Sequence, residues 1–419
     1  MRMYDTILER FIRYAKINTR SNPANKHTIP SSPEQVAFAR MLERELTILG
    51  LEEVFYDDRD GFVTAKLSSN QAGKDIPAIG FMAHIDTADF PSENVNPQVH
   101  YDYNGEDVTL NEELGIIMTV KEFPNLKDYV GETLITTDGT TLLGADCKAG
   151  MASIIEVMKH LIEHPEIPHG EIWVAFGPDE EIGIGASRFI VEKWPVEFGY
   201  TIDGGKTGQL DYETFNAAQA VITFTGTSVH PGAAKDVMVN PLAEAAKFYQ
   251  KIPINETPET TAAYEGYYML GSQYGDLDKV VSAYNIRDHD FDKFEQRKEQ
   301  IQQWVDEQNN TYDYPRISCV ISDQYFNMGN IIKNDSRSFD IAKQAYESLG
   351  ITPRINPMRG GTDGSHLAFK GIAMPNLFKG SENSHGRFEF VTVERMKLAS
   401  DVMMKIIDLV QEQPVVYHI

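Results

Sequence analysis

The chain has 419 residues, with 62 Asp or Glu against 38 Lys or Arg, for a formal charge of −24. That balance excludes the basic footprint of a nucleic-acid protein and disfavours anionic membranes. Two cysteines, Cys147 and Cys319, are too few for a disulfide framework or a Cys-rich zinc site.

Met1 to Ala15 mixes Asp5, Glu9 and several Arg with apolar residues, so it lacks the continuous apolar core of a secretory signal. No apolar run approaches the roughly 20 residues needed to span a bilayer. A cytoplasmic chain is therefore expected. Ile7, Leu8, Phe11, Ile12 and Ala15 recur at helical spacing, and Val36, Ala39, Leu42, Leu46 and Leu49 mark a second helix. Ala78–Ala83 is a short continuous apolar run, the pattern of a strand buried on both faces. Met151, Ile154, Ile155, Met158 and Leu161 predict a helix, Ile172–Phe176 another buried strand, and Ala399 to Val410 a long terminal helix. Between them, strand-like Ala220–Gly226, a helix around Leu242–Phe248, a strand at Lys279–Arg287, a charged helix at Phe291–Gln308 and a strand at Arg316–Asp323 read as an α+β segment. The expected fold is an α/β domain, a mixed sheet flanked by helices, interrupted by a smaller α+β domain. The boundaries are 1–213 for its first part, 214–325 for the insertion and 326–419 for its second part.

Five places put acid or histidine side chains at the ends of predicted strands or beside glycines: His84-Ile85-Asp86-Thr87, Gly144-Ala145-Asp146-Cys147-Lys148, Asp179-Glu180-Glu181-Ile182-Gly183, Asp203-Gly204-Gly205 and Asn383-Ser384-His385-Gly386. In open α/β sheets ligands bind at strand ends. His84 and Asp86 are two apart, so Asp86 can orient the imidazole if the strand continues. Adjacent Glu180 and Glu181 can divide labour, one binding metal and the other moving protons. A lone Asp or His at a strand end is usually a cap or a surface residue; the set of five is what points to a site. Two histidines with several carboxylates suit Zn²⁺ or a similar hydrolytic metal. Five ligands exceed one tetrahedral zinc and suit two metals about 3.5–4 Å apart sharing a bridging carboxylate.

The ordered motifs His-x-Asp-Thr, Gly-Ala-Asp-x-Lys-Ala-Gly, Asp-Glu-Glu-x-Gly, Asp-Gly-Gly and a late His resemble those of the dizinc aminopeptidase and carboxypeptidase family that also contains aminoacylases. Ser228-Val229-His230-Pro231-Gly232 and Gly360-Gly361-Thr362-Asp363-Gly364-Ser365 look like further signatures of it. The resemblance implies that His84 and Asp203 hold one zinc, that Glu181 and His385 hold the other, and that Asp146 bridges them. It implies Glu180 as general base, Asp86 as the residue that orients His84, and a cis peptide at Asp146–Cys147. Mn²⁺ or Co²⁺ would also suit the ligand set. The inserted domain would act as a lid carrying His230, with Asn285 and Arg287 beside it; Arg359, Gly361, Thr362 and Asp363 are candidates for holding the peptide. A guanidinium suits a terminal carboxylate through bidentate bonding. The implied activity is release of the amino-terminal residue of tripeptides, with short peptides as substrates, no nucleic-acid or membrane partner, and a homodimer through the lid.

Three decoys are set aside. His160-Leu161-Ile162-Glu163-His164 fits an inverted zinc-protease motif, but Met158, Leu161 and Ile162 face the core and turn both histidines to solvent. Gly205-Lys206-Thr207 lacks the first glycine of a phosphate loop, and Gly183-Ile184-Gly185 lacks the third glycine of a dinucleotide fingerprint. A dipeptidase or an N-acyl-amino-acid hydrolase would share every ligand. A non-catalytic metal-binding protein would have no use for a spare base at Glu180.

Overall fold

The computed structural model describes residues 6–413, so the first five residues of the stretch read against a secretory signal lie outside it. The chain divides into two units. The first takes the chain up to Tyr212, then Ile331–Asn356, then Thr362 onward; the second is Glu213–Asn330 with Pro357–Gly361.

The first unit is built on seven strands: β1 (Glu52–Tyr56), β2 (Val63–Leu67), β3 (Ile79–His84), β4 (Ile172–Gly177), β5 (Phe198–Gly204), β6 (Leu210–Asp211) and β7 (Asn376–Phe378). Their order across the sheet is β1-β2-β4-β3-β5-β7-β6. The four central strands β4, β3, β5 and β7 are mutually parallel, and the outer pairs are antiparallel. Every residue of β3 and β4 is buried, which is why these two strands read as unbroken apolar runs.

Five helices matter for the site: α1 (Ile7–Ala15), α2 (Pro33–Leu49), α3 (Ala145–Glu163), α4 (Asp363–Phe369) and α5 (Val393–Val410). A capping box at Thr6 and Glu9 starts α1, and Gly50 in the left-handed region ends α2. α1, α3 and α5 share one apolar cluster through Phe11, Ala149, Ala152 and Met396. A second cluster gathers Phe62, Met82, Trp173, Trp194, Leu367 and Met374. A Cβ at Gly150 would stand 2.0 Å from the Ile202 carbonyl oxygen, so glycine is what lets α3 lie this close to β5.

The second unit holds a four-stranded antiparallel sheet in the order Tyr267–Gly275, Lys279–Asp288, Asn216–Thr225, Ile317–Tyr325. Helices Pro241–Tyr249 and Phe291–Asn309 pack their apolar sides on it, joining Phe248, Phe294, Ile301 and Val305 to Ile222, Phe224, Tyr284 and Ile286. The edge strand Tyr267–Gly275 escaped the sequence reading because its second half is exposed and polar, without an apolar alternation. Pro357–Gly361 belongs to this unit rather than to the 326–419 segment expected to contain it. Met358 donates its N–H to Glu213 O (3.0 Å), Phe215 donates to Gly360 O (3.3 Å), and Arg359 reaches three groups of the unit's own chain. Among the described residues no helix is long and apolar enough to cross a membrane.

Candidate metal centre

Because β3, β4, β5 and β7 are parallel neighbours, their carboxyl ends meet at one edge of the sheet. His84 is the last residue of β3, Asp203 the penultimate residue of β5, and Glu180 and Glu181 follow β4 by one turn. Asp146 stands in the first turn of α3, and its peptide bond to the following Cys147 is cis, as expected. His385 comes from the loop after β7 and has a positive φ of 66°.

The donor atoms form two groups that share one carboxylate. His84 Nε2 lies 3.2 Å from Asp146 Oδ1 and 3.4 Å from Asp203 Oδ1. His385 Nε2 lies 3.4 Å from Asp146 Oδ2 and 3.1 Å from Glu181 Oε2. Metal–ligand bonds of about 2.0–2.1 Å in a tetrahedron give edges of about 3.3–3.4 Å, so both spacings fit an ion. Asp146 offers a different oxygen to each group, the arrangement a bridge requires. Glu181 Oε1 is buried without a hydrogen-bond partner among the described residues, an orphaned acceptor that a cation would satisfy. Cys147 falls in the first cluster, but its Sγ donates to Ile202 O at 2.9 Å. Burial also raises the thiol well above its ordinary pKa, so it stays a protonated neighbour.

Asp86 is fully buried and anchors two parts of the site at once. Its carboxylate oxygens accept the backbone N–H groups of Glu180 and Glu181, each at 3.1 Å. His84 Nδ1 lies 3.0 Å from Asp86 O and 3.4 Å from its Oδ1, so the imidazole is held chiefly by the carbonyl. That contact directs the Nδ1 proton to Asp86 and leaves Nε2 toward the two aspartates. Burial raises the Glu180 carboxyl well above its ordinary pKa; the negative charges of Asp203 and Asp363 add to this and His84 opposes it. Burial also raises Glu181, against its hydrogen bond to His385. Hydrogen bonds to Asp146 and Glu181 raise His385 to about 11.

Two residues absent from the sequence reading complete the constellation. Buried Lys379 places Nζ 3.0 Å from Asp146 Oδ1 and 3.1 Å from Asp203 Oδ1. Buried Glu389 accepts the N–H groups of Leu143 (3.0 Å), Gly144 (2.8 Å) and Asp146 (2.9 Å), fixing the loop that presents Asp146. Burial first, then Asp146, pushes Glu389 up to about 7. The available signals were a lysine directly after the apolar pair Leu377-Phe378 and a lone acid in Phe388-Glu389-Phe390-Val391. Neither pattern separates an inward from an outward side chain.

The residues expected to hold the peptide fall in both units. In the first, Thr362 is the N-cap of α4, and Asp363 is buried, its Oδ1 accepting the Ala186 N–H at 2.6 Å. Burial pushes Asp363 up to about 7. A Cβ on Gly185 would meet that same oxygen at 2.0 Å. In the second unit, His230 is exposed and its Nδ1 accepts the Gly232 N–H at 3.1 Å. Asn285 and Arg287 are half-buried on one face of Lys279–Asp288. The Arg287 guanidinium donates to Ala218 O, Ile286 O and Gln324 Oε1. Arg359, a candidate for holding the peptide, donates to Ala263 O (3.0 Å), Glu265 O (2.8 Å) and Thr261 Oγ1 (2.7 Å) and lies over Phe215 and Tyr267, so its guanidinium is engaged within its own unit. Gly361 faces the Tyr325 ring, which a Cβ would strike at 2.6 Å. His160 and His164 sit exposed at the end of α3 and join none of the candidate metal clusters.

Residues 138–409 match the sequence pattern of peptidase family M20/M25/M40. Peptidase T of Enterococcus faecalis is 51% identical over 408 residues, covering 97% of this chain and 99% of that protein. A tripeptidase of Staphylococcus aureus superposes with a TM-score of 0.76 at 23% identity, over 97% of this chain and 98% of that one. A dinuclear metal-binding peptidase of Bacillus subtilis superposes with a TM-score of 0.64 at 14% identity, over 97% and 98%. The chain belongs to peptidase family M20/M25/M40 and is a hydrolase of peptide bonds.

Proposed function

We propose that the protein is an aminopeptidase that releases the amino-terminal residue of tripeptides, using two Zn²⁺ ions, with Mn²⁺ or Co²⁺ as substitutes. The observation that carries the reading is Asp146, whose two oxygens serve two donor groups beside the base candidate Glu180. The likeness to peptidase T of Enterococcus faecalis and to a tripeptidase of Staphylococcus aureus supports the tripeptide preference. His84 and Asp203 would hold one ion, Glu181 and His385 the other, and Asp146 both. Bound there, the metals would acidify a water and polarise the scissile carbonyl.

The remaining work falls to the chain. Asp86 fixes the backbone of the Glu180–Glu181 turn and the ring of His84. Glu180, in a poorly solvated position, would take the proton of the attacking water and hand it to the departing amine. Reading of the peptide is assigned to His230, Asn285 and Arg287 and to the Arg359–Asp363 stretch. Of these, exposed His230 is the most available for contact. The proposal includes a cytoplasmic setting and a homodimer through the second unit, whose edge strand Ile317–Tyr325 leaves Val320 63% exposed.

The test is a panel of di-, tri- and tetrapeptides, with free or blocked amino termini, given to purified enzyme and followed by chromatography. Cleavage confined to tripeptides with a free amine is the expected result. Turnover of blocked peptides, or a preference for dipeptides, would point instead to an N-acyl-amino-acid hydrolase or a dipeptidase.

A further inference from the structure

Lys379 is an ionised group that the proposed reaction does not use, yet it lies inside the metal centre. It follows β7 directly, and its N–H donates to Gly204 O at 2.7 Å, which pins it beside Asp203. The side chain is 2% exposed. Its ammonium has three protons and three acceptors: Asp203 O at 2.7 Å, Asp203 Oδ1 at 3.1 Å and Asp146 Oδ1 at 3.0 Å. A buried lysine is tolerated only when it is paired in this way.

The contacts are one-sided. Both carboxylate oxygens that Lys379 occupies are the ones that approach His84 Nε2. The oxygens of the other group, Asp146 Oδ2 and Glu181 Oε2, are approached by His385 instead. A metal ion and an ammonium compete for the same lone pairs and repel each other at close range, and the repulsion is strong where water is scarce. The two metal positions are thus not equivalent in this chain: one is held in advance by an ammonium that is not among its proposed ligands, whereas the group against the other, His385, is itself a proposed ligand, and Glu181 Oε1 there has no hydrogen-bond partner among the described residues.

We propose that Lys379 is a resident cation of the His84–Asp203 position, satisfying it when metal is absent and opposing its loading, so that the Glu181–His385 position fills first. The proposal rests on the two-metal reading above and adds to it a regulatory consequence: full activity requires the weaker position to load and is graded by metal supply.

The experiment is a titration of the chelator-stripped full chain with Zn²⁺ against a chromophoric chelator. Wild type should bind in two steps separated by at least about tenfold in affinity. His84→Ala should remove the weaker step. Lys379→Met, which keeps the length of the side chain and removes the charge, should tighten the weaker step by about tenfold or more and leave the stronger within about twofold. Two equal steps in wild type, or a weaker step that Lys379→Met fails to tighten, would overturn the proposal. Should the variant not fold, anomalous diffraction from wild-type crystals given one equivalent of Zn²⁺ decides alone. Occupancy at Glu181 and His385 supports the proposal, and equal occupancy or occupancy at His84 and Asp203 refutes it. Failure here is separable from failure of the proposed activity: tripeptides cleaved by an enzyme with two equal sites would refute only the role of Lys379, and unequal zinc sites in a chain that cleaves no tripeptide would refute only the activity.

Discussion

Asp86 Oδ1 accepts the backbone N–H of Glu180 at 3.1 Å, so the position of the base candidate is set by a buried carboxylate two residues beyond the end of β3. The Glu180 side chain joins neither candidate metal cluster among the described residues. Glu180→Gln should lower kcat by about 10²–10⁴-fold while zinc content, measured by plasma mass spectrometry, stays that of wild type. Loss of metal together with activity would make Glu180 a ligand.

Asp146 divides its oxygens between His84 and His385. Asp146→Ala should therefore weaken both metal positions, His385→Ala chiefly one, and His160→Ala neither. Zinc stoichiometry after gel filtration compares all three. A full complement of zinc in Asp146→Ala would rule out the bridge.

Gly150 lets α3 approach β5 where Ile202 precedes Asp203. In Gly150→Ala the new methyl would stand 2.0 Å from Ile202 O, so the helix or the strand must shift. The expected cost is about 1–3 kcal/mol of stability, with weaker zinc binding because Asp203 moves with its neighbour. Thermal unfolding and a zinc titration of the same preparation test both.

Asp211 is buried and pushed up to about 6, first by burial, against hydrogen bonds from Gln209 and Asn376. Its pKa in an unfolded chain is about 3.9. Between these values the folded state holds more protons than the unfolded one, so stability falls as pH rises from about 4 to about 6 and the cost is then fully present. Asp211→Asn should be more stable than wild type at pH 8 by on the order of 1–3 kcal/mol, and the gain should fade by pH 4. Denaturant titrations at the two pH values give the difference. An equal gain at both would show that ionisation is not its cause.

His230 is exposed, and its Nδ1 is engaged by Gly232. If it contacts substrate, His230→Ala should raise KM or lower kcat by about tenfold or more without changing zinc content or melting temperature. Steady-state kinetics on a tripeptide measure this, and unchanged kinetics would remove His230 from the site.

Much of this molecule is legible from its residue order. Buried parallel strands leave continuous apolar runs, so β3 and β4 were readable, and the motifs at their ends gave the ligand set as an expectation. The Tyr267–Gly275 strand was not readable because an edge strand facing water has no apolar face to alternate. Lys379 and Glu389 were missed for a different reason. Charged residues beside apolar ones are common on surfaces, and only the path of the chain decides whether such a side chain turns inward.

The sequence by itself determined the class of fold, the family and the residue types of a metal centre, because periodicity and motif spacing are local properties of the chain. The tertiary structure alone decided how those residues meet. It gave each oxygen of Asp146 to a different histidine, made Asp86 the anchor of the glutamate turn, returned Arg359 to the second unit, and set an ammonium against Asp146 and Asp203. Each of these depends on contacts between segments more than fifty residues apart, where distance and direction are fixed by packing and no local pattern records them.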